Sequence, residues 1–384
     1  MTSSVASRPG VRLKRVSRHV AAALPAWVVA RIIVAGVIPV AHQVLAHGYR
    51  PPIALNHHHP VLLDWDADWY RRIARDGYAS VPRAALRFFP LWPLAARGAR
   101  PLFAARIDWA LIGLANALAL AFGALIHALT LAETGDARVA RRAAWLAALV
   151  PPAFVLVMGY SEALALCLGV AAFMGLRGRR WWWAAAAGLL SGLCRPVGLL
   201  LSVPAAIEAW RDLGGRWRGV GVAGLARRGA AVLAPVAGAG LYLAWSWRRF
   251  GDPLLPFHEQ QAARLRGRVQ DPVRTVAAAM SHVVRGDLGR QLHLPWVLAG
   301  VAFVVLVGYR LPASYTAYTG AIVIAAISAQ HLGSLERYLF GAFPIVMAAA
   351  TCLRRETAWR ATISLSVAGL AGYALAAFIG AYVP

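Results

Sequence analysis

From residue 20 to the last residue, the chain repeats long runs of Ala, Leu, Val and Gly, interrupted by short joints rich in Arg, Pro or Gly. About 20 apolar residues in a row are what a helix needs to cross a bilayer, since a rise of about 1.5 Å per residue must cover about 30 Å of hydrocarbon. Only 15% of the residues are charged and 59% are hydrophobic, whereas a soluble domain carries about a quarter charged residues. The pattern predicts an all-α, polytopic transmembrane helical bundle.

Apolar windows place about eleven spans, near 20–46, 108–131, 143–159, 161–176, 181–194, 196–210, 229–248, 294–310, 313–330, 337–353 and 361–383. The pair 181–194 and 196–210 is short and divided by Arg195-Pro196. It reads equally as one broken or re-entrant element, which is tolerated where it faces protein or water. Arg8, Arg12, Lys14, Arg15 and Arg18 precede the first run. That arrangement is like a signal peptide, but the apolar run is too long for one and reads as an uncleaved span. Residues 1–19 are therefore expected to form a cytoplasmic basic arm, and residues 20–384 a single integral-membrane domain. Arg138, Arg141 and Arg142, then Arg177, Arg179 and Arg180, then 211–228, then Arg354, Arg355 and Arg360 all fall on one side, which the positive-inside rule makes cytoplasmic. The longer segments 47–107 and 249–293 then lie outside, although they also contain Arg. Trp181, Trp182 and Trp183 read as an aromatic belt at the cytoplasmic interface.

The net charge of +24 comes almost wholly from Arg, with Lys14 as the single lysine. Part of it reflects GC-rich codon usage, and the rest suits anionic headgroups or phosphates. No basic soluble domain is present to hold a duplex, so nucleic acid is not an expected partner. Cys167, Cys194 and Cys352 lie in apolar runs without a CxxC pattern, which predicts neither disulfides nor a metal site.

The acids are scarce, 16 in all, yet Asp64, Asp66, Asp68 and Asp76 crowd into "LLDWDADWYRRIARDGY" at 62–78. Pro60 and Gly77 bracket a short amphipathic helix over about 65–76. Asp68 has Arg71 and Arg72 at i+3 and i+4, Asp76 has Arg72 at i−4, and Asp64 lies at the expected N-cap. Asp66 has Trp69 and Tyr70 at those spacings and no cation. A first-turn carboxylate is stabilised by the helix dipole and could take a proton from a sugar hydroxyl. An interfacial helix with Asp caps explains the same pattern without chemistry.

"WDADWYRRIARDGY" resembles the first-loop motif of the PIG-V-like mannosyltransferases, the family of GPI mannosyltransferase II, within the GT-C superfamily of polytopic glycosyltransferases. "FFPLWPL" (88–94), "GYSEALAL" (159–166), "GLCRPVGLLL" (192–201), "FGDPLLPFHEQQA" (250–262) and "SLERYLFGAFP" (334–344) resemble further segments of that family, in order. The resemblance implies a GT-C-like fold and transfer of mannose from polyprenyl-phosphate-mannose to a lipid-linked glycan acceptor on the extracytoplasmic face. It implies no cofactor and no metal, and an Asp of the first outer loop as general base, which is Asp66 here. Asp64, Trp65 and Tyr70 share its motif and are taken as substrate contacts.

The departing phosphate needs cations, and Arg is the bidentate choice. Arg337 of "ERY" is the leading ligand; pairing with Glu336 or snorkelling to headgroups would also explain it. Arg195 is an intramembrane charge, functional by default or simply paired with Glu162. Glu162 could orient the acceptor sugar or sit in a helix cap with Ser161. Gln261, His258 and His331 are further candidate sugar or phosphate contacts, and "RFFPLWP" either lines a prenyl groove or packs. His57, His58 and His59 are consecutive and cannot easily converge on one ion, so they read as a solvated loop. Asp64 and Asp66 could in principle hold a divalent ion, against which the resemblance stands. The rival readings are a transporter or lipid flippase, a non-catalytic scaffold, and a GT-C enzyme for another sugar. The absence of an internal repeat and the placing of the acids in an outer loop argue against the transporter. The acceptor of the eukaryotic family is a GPI precursor; the composition here looks bacterial and points to a phosphoinositol mannoside, lipoglycan or other envelope glycolipid.

Overall fold

A computed structural model describes residues 9–50, 60–216, 219–262, 265–284 and 293–384, and every regular element among them is helical. Helix α1 (Pro9–Ala46) leads into α2 (Asp66–Asp76) and α3 (Leu91–Ala99), then the long α4 (Ile107–Thr134). The middle of the chain forms α5 (Ala137–Leu149), α6 (Glu162–Arg177), α7 (Trp181–Cys194), α8 (Ser202–Asp212) and the long α9 (Val222–Phe250). Then come α10 (Leu255–Gln260), α11 (Pro272–Val284), α12 (Leu294–Arg310), α13 (Ala313–Ile327), α14 (Leu335–Phe340), α15 (Pro344–Cys352) and α16 (Glu356–Phe378).

Four of these helices are long and apolar enough to cross a membrane, namely α1 from Val16, α4, α9 and α16. Their outward faces expose large apolar side chains such as Ile32, Leu233, Leu241 and Leu365. The other expected spans resolve into helices of 6 to 17 residues, so eleven continuous helices of spanning length are not found among the described residues. The reason is local. Pro151-Pro152 ends α5 and starts a 3-10 turn (Pro151–Leu156), because proline has no amide to continue the ladder. The expected span 337–353 is split between α14 and α15 at 341–343. At Arg195 the backbone is extended (φ −153°, ψ 150°) and a 3-10 turn, Pro196–Leu201, follows before α8, as the residue preceding a proline is driven out of the helical region. The expected division at Arg195-Pro196 is therefore present between α7 and α8.

Helices α7 and α9 pack backbone to backbone. A Cβ on Gly192 would strike the Pro235 carbonyl, and one on Gly238 would strike that of Leu189. Small residues give such contact where association rests on close packing rather than on release of water. The main core gathers Trp92, Phe122, Phe154, Tyr160, Phe173, Tyr315, Phe343 and Phe378, all fully buried. The "RFFPLWP" aromatics belong to packing: Phe88, Phe89 and Trp92 are buried, and Trp92 Nε1 donates to the Gly159 carbonyl at 3.0 Å. Trp181 is buried beneath the Arg228 guanidinium, whereas Trp182 and Trp183 are exposed.

A second group of charged side chains lies where α4, α6, α8 and α13 meet, with Glu208 buried and Glu133 and Arg177 partly so. Arg177 reaches both oxygens of Glu133 at 2.8 and 3.1 Å and both oxygens of Glu208 at 3.2 Å. Tyr315 donates to Glu133 at 2.9 Å, while Ser314 and Arg211 donate to Glu208 at 2.5 and 3.1 Å.

Candidate functional site

Helix α2 forms because its apolar positions fall on one face. Ala67, Tyr70, Ile73 and Ala74 are buried, and Gly77 ends the helix at φ 80°. Asp68 pairs with Arg71 at 2.9 Å and Arg72 at 2.6 Å, as the spacing predicts. Two local expectations fail. The N-cap is Trp65 rather than Asp64, whose backbone carbonyl accepts from the Ala67 amide at 3.2 Å. Asp76 pairs with its neighbour Arg75 at 3.0 Å, since Arg72 is already turned to Asp68.

Trp65 adopts φ 60° and ψ −124°, a conformation that glycine normally takes. Such a backbone costs about 1–3 kcal/mol and persists only where surroundings impose it. Here the indole Nε1 donates to the Ala377 carbonyl of α16 at 3.1 Å. The turn delivers Asp66 onto α6 and α14. Its amide donates to the Tyr160 hydroxyl at 3.2 Å, and its Oδ2 accepts from Arg337 Nη1 at 2.5 Å. Asp66 lacks a cation along its own helix, as expected, but gains one across 271 positions of sequence.

Arg337 Nη1 also faces Glu162 Oε1 at 3.2 Å, and Glu162 in turn pairs with Arg195. The order is therefore Asp66, Arg337, Glu162, Arg195, with charges alternating. Arg337 enters through a second left-handed residue, Ser334 (φ 58°), at the N-cap of α14. The Arg337 guanidinium lies 5.5 Å from the Tyr160 ring and 5.6 Å from the Tyr338 ring, within cation–π range. Glu336 does not pair with Arg337. It is fully buried and takes hydrogen bonds from His293 Nδ1 at 2.7 Å and the Tyr382 hydroxyl at 3.1 Å.

Ser161 occupies the N-cap of α6 but its hydroxyl makes no cap; it meets the Tyr70 hydroxyl at 2.8 Å and Arg195 at 3.4 Å. Tyr70 is thus buried, with its hydroxyl against Ser161. Asp64 is also buried, at 3% exposure. Burial, and then the neighbouring Asp68 charge, push its carboxyl up to about 7. Gln261 closes α10, which packs against the turn 83–87; no hydrogen bond or ion pair joins its side chain to the four charges among the described residues. His258 is exposed and held by Asp252 at 2.8 Å, and the His331 amide donates to the Arg266 carbonyl at 2.9 Å. His57, His58 and His59 lie outside the described residues.

The structure brings Asp66, Glu162, Arg195 and Arg337 together, with Trp65 as the strained entry. Sequence reasoning missed Tyr160, which supports both Asp66 and Arg337. Its signal was its place beside Glu162 in "GYSEALAL". Chemically, a partly exposed carboxylate beside a buried guanidinium can take a proton from a hydroxyl and hold an anion within one site.

No family model matches the chain, and no curated protein matches it. Among solved structures it is similar to the oligosaccharyltransferase of Archaeoglobus fulgidus tethered with an acceptor peptide, with 14% identity and a TM-score of 0.44, covering 94% of this chain and 56% of that one. A second similar structure is the archaeal oligosaccharyltransferase AglB from Archaeoglobus fulgidus in complex with an inhibitory peptide and a dolichol-phosphate, with 13% identity, a TM-score of 0.45 and the same coverage of 94% and 56%. The chain thus spans little more than half the length of these proteins, and likeness this distant carries over neither a family nor a chemistry.

Proposed function

We propose that the protein is a membrane glycosyltransferase that moves mannose from polyprenyl-phosphate-mannose to a lipid-linked acceptor on the extracytoplasmic face. The observation that carries this reading is the direct contact of Asp66 with Arg337, a base and a phosphate ligand drawn from motifs far apart in sequence. Asp66 keeps 23% side-chain exposure while Arg337 keeps 7%, which supports the carboxylate as the member more accessible to an incoming hydroxyl.

In this mechanism Asp66 takes the proton of the acceptor hydroxyl as its oxygen bonds to the sugar's anomeric carbon. The bond from that carbon to the phosphate oxygen breaks, and the phosphate leaves with the electron pair toward Arg337. A buried guanidinium stabilises that developing charge more than an exposed one does. The four charged residues sum to zero, so the site has room for one added anion without a large excess of either sign. The choice of mannose rests on the motif resemblance. The acceptor that fits the bacterial composition is a phosphoinositol mannoside, lipoglycan or related envelope glycolipid.

The test is transfer of labelled mannose from polyprenyl-phosphate-mannose to endogenous lipid in membranes expressing the protein. Asp66→Ala should abolish it at equal expression. Undiminished transfer by that variant would end the assignment. Loss of a transported substrate on gene deletion, with unchanged glycolipids, would favour a transporter.

A further inference from the structure

Proton transfer and phosphate binding leave part of the charged chain unexplained. Arg337 spends a single nitrogen, Nη1, on both Asp66 and Glu162. Its buried Nε has no hydrogen-bond partner among the described residues. Glu162 likewise meets Arg195 and Arg337 through one oxygen, Oε1, and its buried Oε2 has no partner among the described residues. Guanidinium and carboxylate ordinarily meet as a two-pronged fork. Here both groups keep an edge in reserve, in a place where an unmade hydrogen bond is costly.

Accessibility is uneven among the four residues and greatest at Asp66. Side-chain exposure is 23% at Asp66, 7% at Arg337, 6% at Glu162 and 14% at Arg195. Asp66 is therefore the member that can leave. It begins a separate short helix, entered through the strained Trp65, whereas Glu162 begins α6 in the core and is gripped by Arg195. With Oδ2 occupied by Arg337, Asp66 offers an acceptor hydroxyl only part of its carboxylate.

We propose that Glu162, clamped by Arg195, is a positioning residue that holds Arg337 in place while the anionic headgroup of a polyprenyl phosphate takes over its guanidinium and releases Asp66. This rests on the reading of Arg337 as the phosphate ligand. The exchange balances: one phosphate replaces one carboxylate on Arg337, and the freed carboxylate turns to the acceptor hydroxyl. Substrates then bind in order, donor first. Without a donor, any hydroxyl, water included, meets a carboxylate still paired with Arg337.

The test uses the full chain in phosphatidylcholine nanodiscs, with and without a polyprenyl monophosphate. Carboxyls are labelled with a water-soluble carbodiimide and glycine ethyl ester, and the Asp66 peptide is quantified by mass spectrometry. Thermal shift, with Arg337→Gln as control, reports binding separately. Asp66 labelling should rise about tenfold with the lipid, the change that loss of about 1.4 kcal/mol of pairing gives. Arg337-dependent binding with unchanged labelling overturns the exchange and leaves the proposed function standing. Binding that ignores Arg337, or no binding, removes the phosphate reading and the exchange with it. Glu162→Gln should raise the donor KM about tenfold, with a smaller change in kcat and little lipid-induced labelling, while Glu162→Asp restores part of both. Wild-type labelling and KM in Glu162→Gln overturn the positioning role. Should that variant not fold, the labelling of the unaltered chain still decides the exchange.

Discussion

Glu162 and Arg177 begin and end the same helix, about 23 Å apart by helical rise, and each belongs to a cluster of charges whose carboxylates are largely buried. At the Arg177 end the hydrogen bonding is complete. Both oxygens of Glu133 and of Glu208 have donors, supplied by Arg177, Arg211, Ser314 and Tyr315. At the Glu162 end one Arg337 nitrogen serves two carboxylates, and Arg337 Nε and Glu162 Oε2 have no partner among the described residues. Two of its elements, α2 and α14, also start from left-handed residues, Trp65 and Ser334. A satisfied polar network ties helices together. An unsatisfied one, held at the expense of strained turns, keeps capacity for something that arrives. Buried charge by itself therefore marks neither a clamp nor a site; the completeness of its hydrogen bonding separates them.

Matched substitutions at the two ends can break that distinction. Asp66→Asn should lower transfer by about 10²–10⁴-fold, the usual worth of a general base, with thermal stability close to that of the unaltered chain. Arg177→Met should do the reverse. Removing the shared partner of two buried carboxylates costs about 3–5 kcal/mol, so the melting temperature in detergent should fall steeply while transfer per folded molecule holds. A large stability loss in Asp66→Asn with normal turnover, or a turnover defect in folded Arg177→Met, would merge the two clusters into one kind.

A smaller effect comes from Asp64, two residues before Asp66 and buried. Its folded-state pKa of about 7 lies above the ordinary value of about 3.9, because burial and then Asp68 disfavour the charge. The folded state thus holds the proton more tightly than the unfolded state does. Stability from this group is greatest below pH of about 4 and declines until pH of about 7, above which it is level. Asp64→Asn, which cannot ionise, removes that decline. Relative to the unaltered chain it should be favoured at pH 8 over pH 5, on the order of 2 kcal/mol after relaxation around the carboxyl. The same difference in melting temperature at both pH values would refute the assignment.

Much of α2 was legible because its rules are local: Pro60 and Gly77 at the borders, apolar residues on one face, and Asp68 at the right distance from Arg71 and Arg72. The break at Arg195-Pro196 was legible for the same reason. Asp66, Glu162, Arg195 and Arg337 were each chosen from short motifs, but their convergence was not readable, since no helical spacing links residues 271 positions apart. Trp65 could not be foreseen as left-handed, because nothing in a tryptophan side chain favours that region and the contacts that hold it, the tie to Ala377 and packing on the core, come from distant sequence. Asp64 as an N-cap was a sound inference from propensity that this one turn overrode. The helix break within the expected span 143–159 was hidden because the effect of Pro151-Pro152 is on backbone amides and not on hydropathy.

The smallest expected effects compare one tyrosine at each end. The Tyr315 hydroxyl donates to the ionised Glu133 at 2.9 Å, and the Tyr70 hydroxyl meets the neutral Ser161 at 2.8 Å. All four residues are buried or nearly so. A hydrogen bond to a charged acceptor contributes about 1.5–3 kcal/mol, and one between neutral groups about 1 kcal/mol. Tyr315→Phe should therefore destabilise more than Tyr70→Phe in the same denaturation series, although each deletes one oxygen from a packed ring. Ser161 retains Arg195 at 3.4 Å after the Tyr70 change, which keeps that loss at the lower figure. Equal losses in the two variants would mean that the Glu133 carboxylate adds nothing to the Tyr315 hydrogen bond beyond what a neutral acceptor gives, and the extra strength of the completed cluster would then lie in its fork with Arg177.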